Sequence, residues 1–152
     1  MRTRTQIFAA TWCIYASLYL ARKPLSVVKP LLLQQGLDRG ALGTIDTAFL
    51  VAYAFSQFFV GPLGDRYGAQ LTLTVLVLAT AVSTFLFSQL PAALLPLATL
   101  WLVNGACQSA AFPICFKALS PLYGPSERGA ALGWWSTCQS VRDLKILMGL
   151  HP

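Results

Sequence analysis

LTLTVLVLATAVSTFLFSQL, Leu71 to Leu90, runs for twenty residues without a charged side chain. As an α-helix it rises about 30 Å, the thickness of a bilayer's hydrocarbon core. Working outward, apolar runs of similar kind extend from Ile7 to Leu33, from Leu42 to Pro62 and from Ala92 to Leu119. A fifth starts near Gly129 and fails after Val141. The breaks between runs, at 34–40, 64–68, 88–91 and 123–128, carry the Gly, Pro and charge expected where a chain leaves lipid.

The composition agrees. Of 152 residues, 56% are hydrophobic and only 11% are charged, and the mean hydropathy is +0.62. Soluble domains carry about 25% charged residues, so this chain has too little polar material to cover a surface in water. The expected fold is an all-α membrane protein of four to five spanning helices. The net charge of +6 does not point to nucleic acid, because the 11 basic residues are scattered and form no dense stripe. Cys13, Cys107, Cys115 and Cys138 lie in apolar runs and read as small hydrophobes. His151 stands beside the end of the chain, so no metal site and no cofactor are expected. No nucleophile–base pair suggests an enzyme, and the first run is too long for a cleavable signal peptide.

Lys and Arg counts in short loops set the orientation. With the N-terminus in the cytosol, the inner segments hold Arg2, Arg4, Arg66 and Arg128, and the outer ones hold only Arg39. The end of the chain fits less well. Arg142-Asp143-Leu144-Lys145 follows Val141 where a fifth helix should be crossing hydrocarbon, and each mid-membrane charge costs about 2.5–3.5 kcal/mol. Residues 142–152 are therefore expected to be a tail foreign to that helix. A fifth helix lying partly at the interface is the alternative.

The informative residues are polar ones inside the apolar runs. Arg22 lies roughly 22 Å along the first run, too deep for easy escape to an interface. Tyr15, Tyr19, Arg22, Ser26 and Lys29 share one face of a helix, and Pro24 and Pro30 interrupt its hydrogen-bond ladder. The second run has its own stripe of Asp46, Tyr53 and Gln57. Folding the two runs together about residue 37 puts Lys29 level with Asp46 and Tyr53 near Arg22. A Lys29–Asp46 pair follows, leaving Arg22 without a carboxylate. A deep guanidinium can donate two hydrogen bonds to an anion, and phosphate suits its fork. Lys23 and Lys29 could also snorkel to the interface.

Gly61-Pro62-Leu63-Gly64-Asp65-Arg66-Tyr67-Gly68 resembles the G-x-L-[AG]-D-R-x-G loop of the major facilitator superfamily, at the expected position between second and third helices. There Gly61, Gly64 and Gly68 permit close packing, and Asp65 and Arg66 serve as a cytosolic latch. Tyr19 to Lys29, with Arg22-Lys23-Pro24-Leu25-Ser26, is similar to the first-helix signature of the sugar-phosphate exchanger branch of the organophosphate:phosphate antiporters. Leu42 to Ala54 resembles that branch's second helix. Asn104-Gly105, Gln108 and Phe112-Pro113 resemble its N-G-x-x-Q-x-x-G-W-P element.

The resemblance implies the first helices of an N-terminal six-helix bundle. It also implies exchange of a phosphorylated sugar or glycerol phosphate for inorganic phosphate by alternating access. Arg22 would be a phosphate ligand, with Lys23, Tyr19, Tyr53, Phe112 and Gln108 around the substrate. The membrane would be endoplasmic reticulum in a eukaryote and the inner membrane in a bacterium. Some positions depart from the pattern. Phe112 replaces the usual Trp, Ser109-Ala110-Ala111 lacks the preceding Gly, Gln57 replaces a Lys, and Cys138-Gln139 stand where a His is common. Such carriers have about twelve helices, so this length implies a portion inactive on its own. A carrier of another organic anion and a non-transporting membrane regulatory fragment are the alternatives.

Overall fold

The computed structural model describes residues 2–142. Among them lie seven α-helices: α1 (Arg2–Leu20), α2 (Lys23–Gln34), α3 (Arg39–Tyr67), α4 (Ala69–Gln89), α5 (Leu94–Ser109), α6 (Ala111–Leu119) and α7 (Pro125–Ser136). Short 3-10 turns follow at Ser120–Leu122 and Thr137–Arg142. Apart from Arg142, the expected foreign tail lies outside the described residues.

Two runs read as continuous are broken. The run from Ile7 to Leu33 splits at Ala21-Arg22, and the run from Ala92 to Leu119 splits at Ala110. The same backbone chemistry acts at both. Pro24 has no N–H to give the Leu20 carbonyl, and Pro113 has none for Ser109; a proline ring also crowds the carbonyl four residues back. Leu20 and Ser109 are the residues at which α1 and α5 end. Pro30 and Pro62 lie inside helices that continue through them, so proline permits the break without forcing it. One consequence corrects the expected polar face: Tyr15 and Lys29 sit on different helices.

The second run is longer than expected. Asp38 accepts a hydrogen bond from the Ala41 amide at 2.8 Å, and this N-cap starts α3 ahead of Leu42. The helix then runs through Gly61-Pro62-Leu63-Gly64-Asp65-Arg66-Tyr67, so the expected loop motif is mostly helix end. Only Gly68 separates α3 from α4, at φ +84°, a conformation open to Gly at little cost. The fifth helix also begins early, with Pro125 in its first turn.

α3 packs chiefly on α5, and α5 on α4. The crossing is close at Gly105, where a Cβ would stand 2.4 Å from the Phe49 carbonyl oxygen. Two apolar cores result. One joins α1, α6 and α7 through Tyr15, Leu18, Ile114, Leu119 and Trp135. The other joins α2, α3 and α5 through Leu25, Leu32, Ile45, Phe49, Leu97 and Trp101. Ala110, at the second helix break, is buried in the first core, and Arg22, at the first break, reaches Tyr19 beside that core and Phe49 in the other.

The outer face is apolar. Leu71, Val75, Leu78, Val82 and Phe85 of α4 are exposed at helical spacing, a stripe suited to lipid. Arg39–Phe59 and Ala69–Gln89 are long and apolar enough to cross a membrane.

Candidate functional site

Arg22 occupies the gap between α1 and α2, where its backbone is held by one long bond to the Tyr19 carbonyl at 3.4 Å. Its Nε donates to Gln108 Oε1 at 2.7 Å, so a side chain at one broken helix meets a side chain at the end of α5, just before the other break. The guanidinium lies 5.0 Å from the Tyr19 ring centroid, 4.9 Å from Tyr53 and 5.6 Å from Phe49. Among the described residues, no carboxylate pairs with it.

These contacts account for a cation held at this depth. An intramembrane Arg costs about 2.5–3.5 kcal/mol on the lenient insertion scale. A hydrogen bond to a charged group contributes about 1.5–3 kcal/mol, and each ring face about 0.5–2 kcal/mol. Together they offset the cost of burial without cancelling the charge. Gln108 occupies Nε, and the two Nη groups keep their donors among the described residues. A planar fork of this kind suits an oxyanion.

The other expected residues are placed in different surroundings. Tyr19 and Tyr53 are brought to Arg22. Lys23 starts α2 and forms no ion pair among the described residues. Phe112 belongs to an aromatic cluster, its ring centroid 5.7 Å from those of both Tyr15 and Trp135, and Trp135 donates to Thr11 Oγ1 at 3.1 Å. Lys29 Nζ lies 2.5 Å from Asp46 Oδ2, joining α2 to α3 as the depth arithmetic requires.

The glycines and charges at the far end of α3 form a separate constellation. Asp65 pairs with Lys117 of α6. Gly64 faces Ile114, whose Cγ1 would stand 2.9 Å from an added Cβ. Arg66 lies over the Tyr67 ring at 5.4 Å and forms no ion pair among the described residues. Gly61 is helical backbone within α3. Nearby in function, Arg4 bonds Glu127 at 2.7 Å and covers the Tyr123 ring at 3.8 Å. The Glu127 hydrogen bond raises the pKa of Arg4 further, so the guanidinium stays charged. Among the described residues, no group of three His, Cys, Asp or Glu is placed to hold a metal ion.

Sequence reading missed Lys117 and the hydroxyls behind Gln108, namely Thr80, Ser83 and Thr84, and named Asn104 only as part of the family element without a role. Asn104 Nδ2 reaches Ser83 Oγ at 2.8 Å and Thr84 Oγ1 at 2.9 Å. The one available signal was a cluster of hydroxyls on an otherwise apolar helix.

The family model of the Major Facilitator Superfamily matches residues 8–141. The chain belongs to this superfamily. It is therefore a portion of a membrane transporter fold and not of an enzyme. Among its curated relatives are the membrane sensor protein UhpC of Escherichia coli, 32% identical over 93% of this chain and 31% of that protein. The glycerol-3-phosphate transporter of Bacillus subtilis is 28% identical over 92% of this chain and 32% of that protein. Human sugar phosphate exchanger 3 is 34% identical over 68% of this chain and 22% of that protein. The chain thus spans about a third or less of these superfamily members. No solved structure matches it significantly.

Proposed function

We propose that this chain supplies the N-terminal wall of a carrier that exchanges a phosphorylated sugar or glycerol phosphate for inorganic phosphate by alternating access. Arg22 docks the phosphate group in this reading. One observation carries it: a guanidinium held by Gln108 and three aromatic rings, with no carboxylate among the described residues to neutralise it. The names of the relatives support phosphate esters over other anions. Lys23 adds positive charge one residue away, Tyr19 and Tyr53 flank the docked group, and Gln108 and Phe112 complete the wall. Residues 1–141 belong to the first bundle and 142–152 depart from it. The N-terminus faces the cytosol, from the endoplasmic reticulum membrane in a eukaryote or the inner membrane in a bacterium. Asp65, Lys117 and Gly64 hold the cytosolic ends of α3 and α6 together.

Proteoliposomes carrying the complete carrier (this chain alone is expected to be inactive) and loaded with radiolabelled phosphate test this directly. External glucose 6-phosphate or glycerol 3-phosphate is expected to drive label out, while a carboxylate such as citrate is not. Efflux driven by citrate and indifferent to phosphate esters would instead assign the site to another organic anion. A second reading, sensing without transport, is favoured by the relative named as a membrane sensor. It predicts phosphate-ester binding with no counterflow.

A further inference from the structure

Behind Gln108 runs a chain of hydrogen bonds whose direction is set at each end. A guanidinium has donors only, so the atom facing Arg22 Nε must be the Gln108 carbonyl oxygen. At the other end stands the Thr80 backbone carbonyl, which only accepts. Ser83 Oγ donates to it at 3.0 Å and Thr84 Oγ1 at 2.8 Å. With their protons committed, these two hydroxyls accept from Asn104 Nδ2. Asn104 must then turn Oδ1 toward Gln108, whose Nε2 donates to it at 2.6 Å. Reversing either amide would set donor against donor. Asn104 and Gln108 are both fully buried, where a polar group left unpaired is costly.

We propose that Asn104 is a positioning residue for anion binding. Anchored on α4, it sets the polarity of the Gln108 amide. Gln108 then holds Arg22 by Nε and leaves the Nη1 and Nη2 edge as the face offered to an oxyanion, engaged end-on by two parallel hydrogen bonds. Asn104 acts only through Gln108. The proposal rests on the reading of Arg22 as the docking residue. It adds that the orientation of the guanidinium, and not its charge alone, is built into the fold.

The test is phosphate counterflow in proteoliposomes of the complete carrier, with KM and kcat measured separately. Asn104→Leu removes the relay's donor and acceptor, and the double variant Ser83→Ala, Thr84→Val removes the two shorter of its three anchors, leaving Asn104 in place with only its 3.3 Å bond to the Thr80 carbonyl. Both are expected to raise the KM for phosphate by about tenfold or more, with kcat within about twofold of the parent. A general packing defect would instead lower the active fraction and hence the apparent kcat. If Asn104→Leu does not fold, the double variant carries the measurement. An unchanged KM in a folded variant overturns the relay if Arg22→Gln still abolishes saturable exchange. Exchange that survives Arg22→Gln overturns the docking reading and the relay with it.

Discussion

Lys29 on α2 and Asp46 on α3 are joined at 2.5 Å, with side chains 35% and 43% exposed. The pair ties the short helix after the Arg22 break to the long helix bearing Tyr53. At this exposure, solvent screening keeps its worth near that of a surface pair, about 1 kcal/mol or less. Its larger role is to neutralise two charges within apolar runs, since among the described residues neither has another ion-pair partner. Lys29→Met or Asp46→Leu is therefore expected to lower the melting temperature in detergent, and the double substitution to recover part of the loss. Fully additive losses would mean that the two residues do not act as a pair.

Gly105 sets the approach of α5 to α3. A Cβ there meets the Phe49 carbonyl at 2.4 Å, and backbone cannot swing aside as a side chain can. Gly105→Ala is expected to cost about 1–3 kcal/mol through overpacking, whereas Gly43→Ala, with nothing within 4 Å, should be neutral or slightly stabilising. Paired thermal melts of the two variants check this.

Gly64 makes a similar contact against a different kind of neighbour. Its added Cβ would meet the Ile114 side chain most closely, so the damage from Gly64→Ala should be relieved by Ile114→Val or Ile114→Ala. Gly64→Ala that is equally harmful with and without the second change would place the strain elsewhere.

Topology is open to chemical labelling. Asp65 and Glu127, replaced singly by cysteine, are expected to react with a membrane-impermeant maleimide from the cytosolic side, and Gly36→Cys from the opposite side. Native Cys13 is exposed and is first changed to Ser. Reaction of all three from one side would remove the orientation proposed from Arg2, Arg4, Arg66 and Arg128.

The parts of the site that sequence reading reaches are those set by local spacing. Lys29 meets Asp46, and Tyr53 meets Arg22, because two runs folded about one turn have no freedom in depth once each is helical. The two helix breaks were also encoded, four residues ahead of Pro24 and Pro113, yet Pro30 and Pro62 carry the same local code and do not break their helices. What separates the two cases is tertiary: Arg22 and Gln108 meet at the breaks that form. Long-range pairs left no local trace. Asp65 and Lys117 lie far apart in the chain, and Ser83 and Thr84 read as hydroxyls that a spanning helix tolerates until Asn104 is packed against them. The extent of α3 was misjudged because Gly61, Pro62 and Gly64 look like a loop, although the chain does not turn until Gly68 takes a positive φ.

The most direct test of the account is calorimetric titration of inorganic phosphate into the purified protein, with and without Arg22. Saturable binding is expected that Arg22→Gln abolishes and Arg22→Lys weakens by about tenfold or more, because an ammonium keeps the charge but loses the fork. Equal phosphate affinity in the parent and in Arg22→Gln would contradict it.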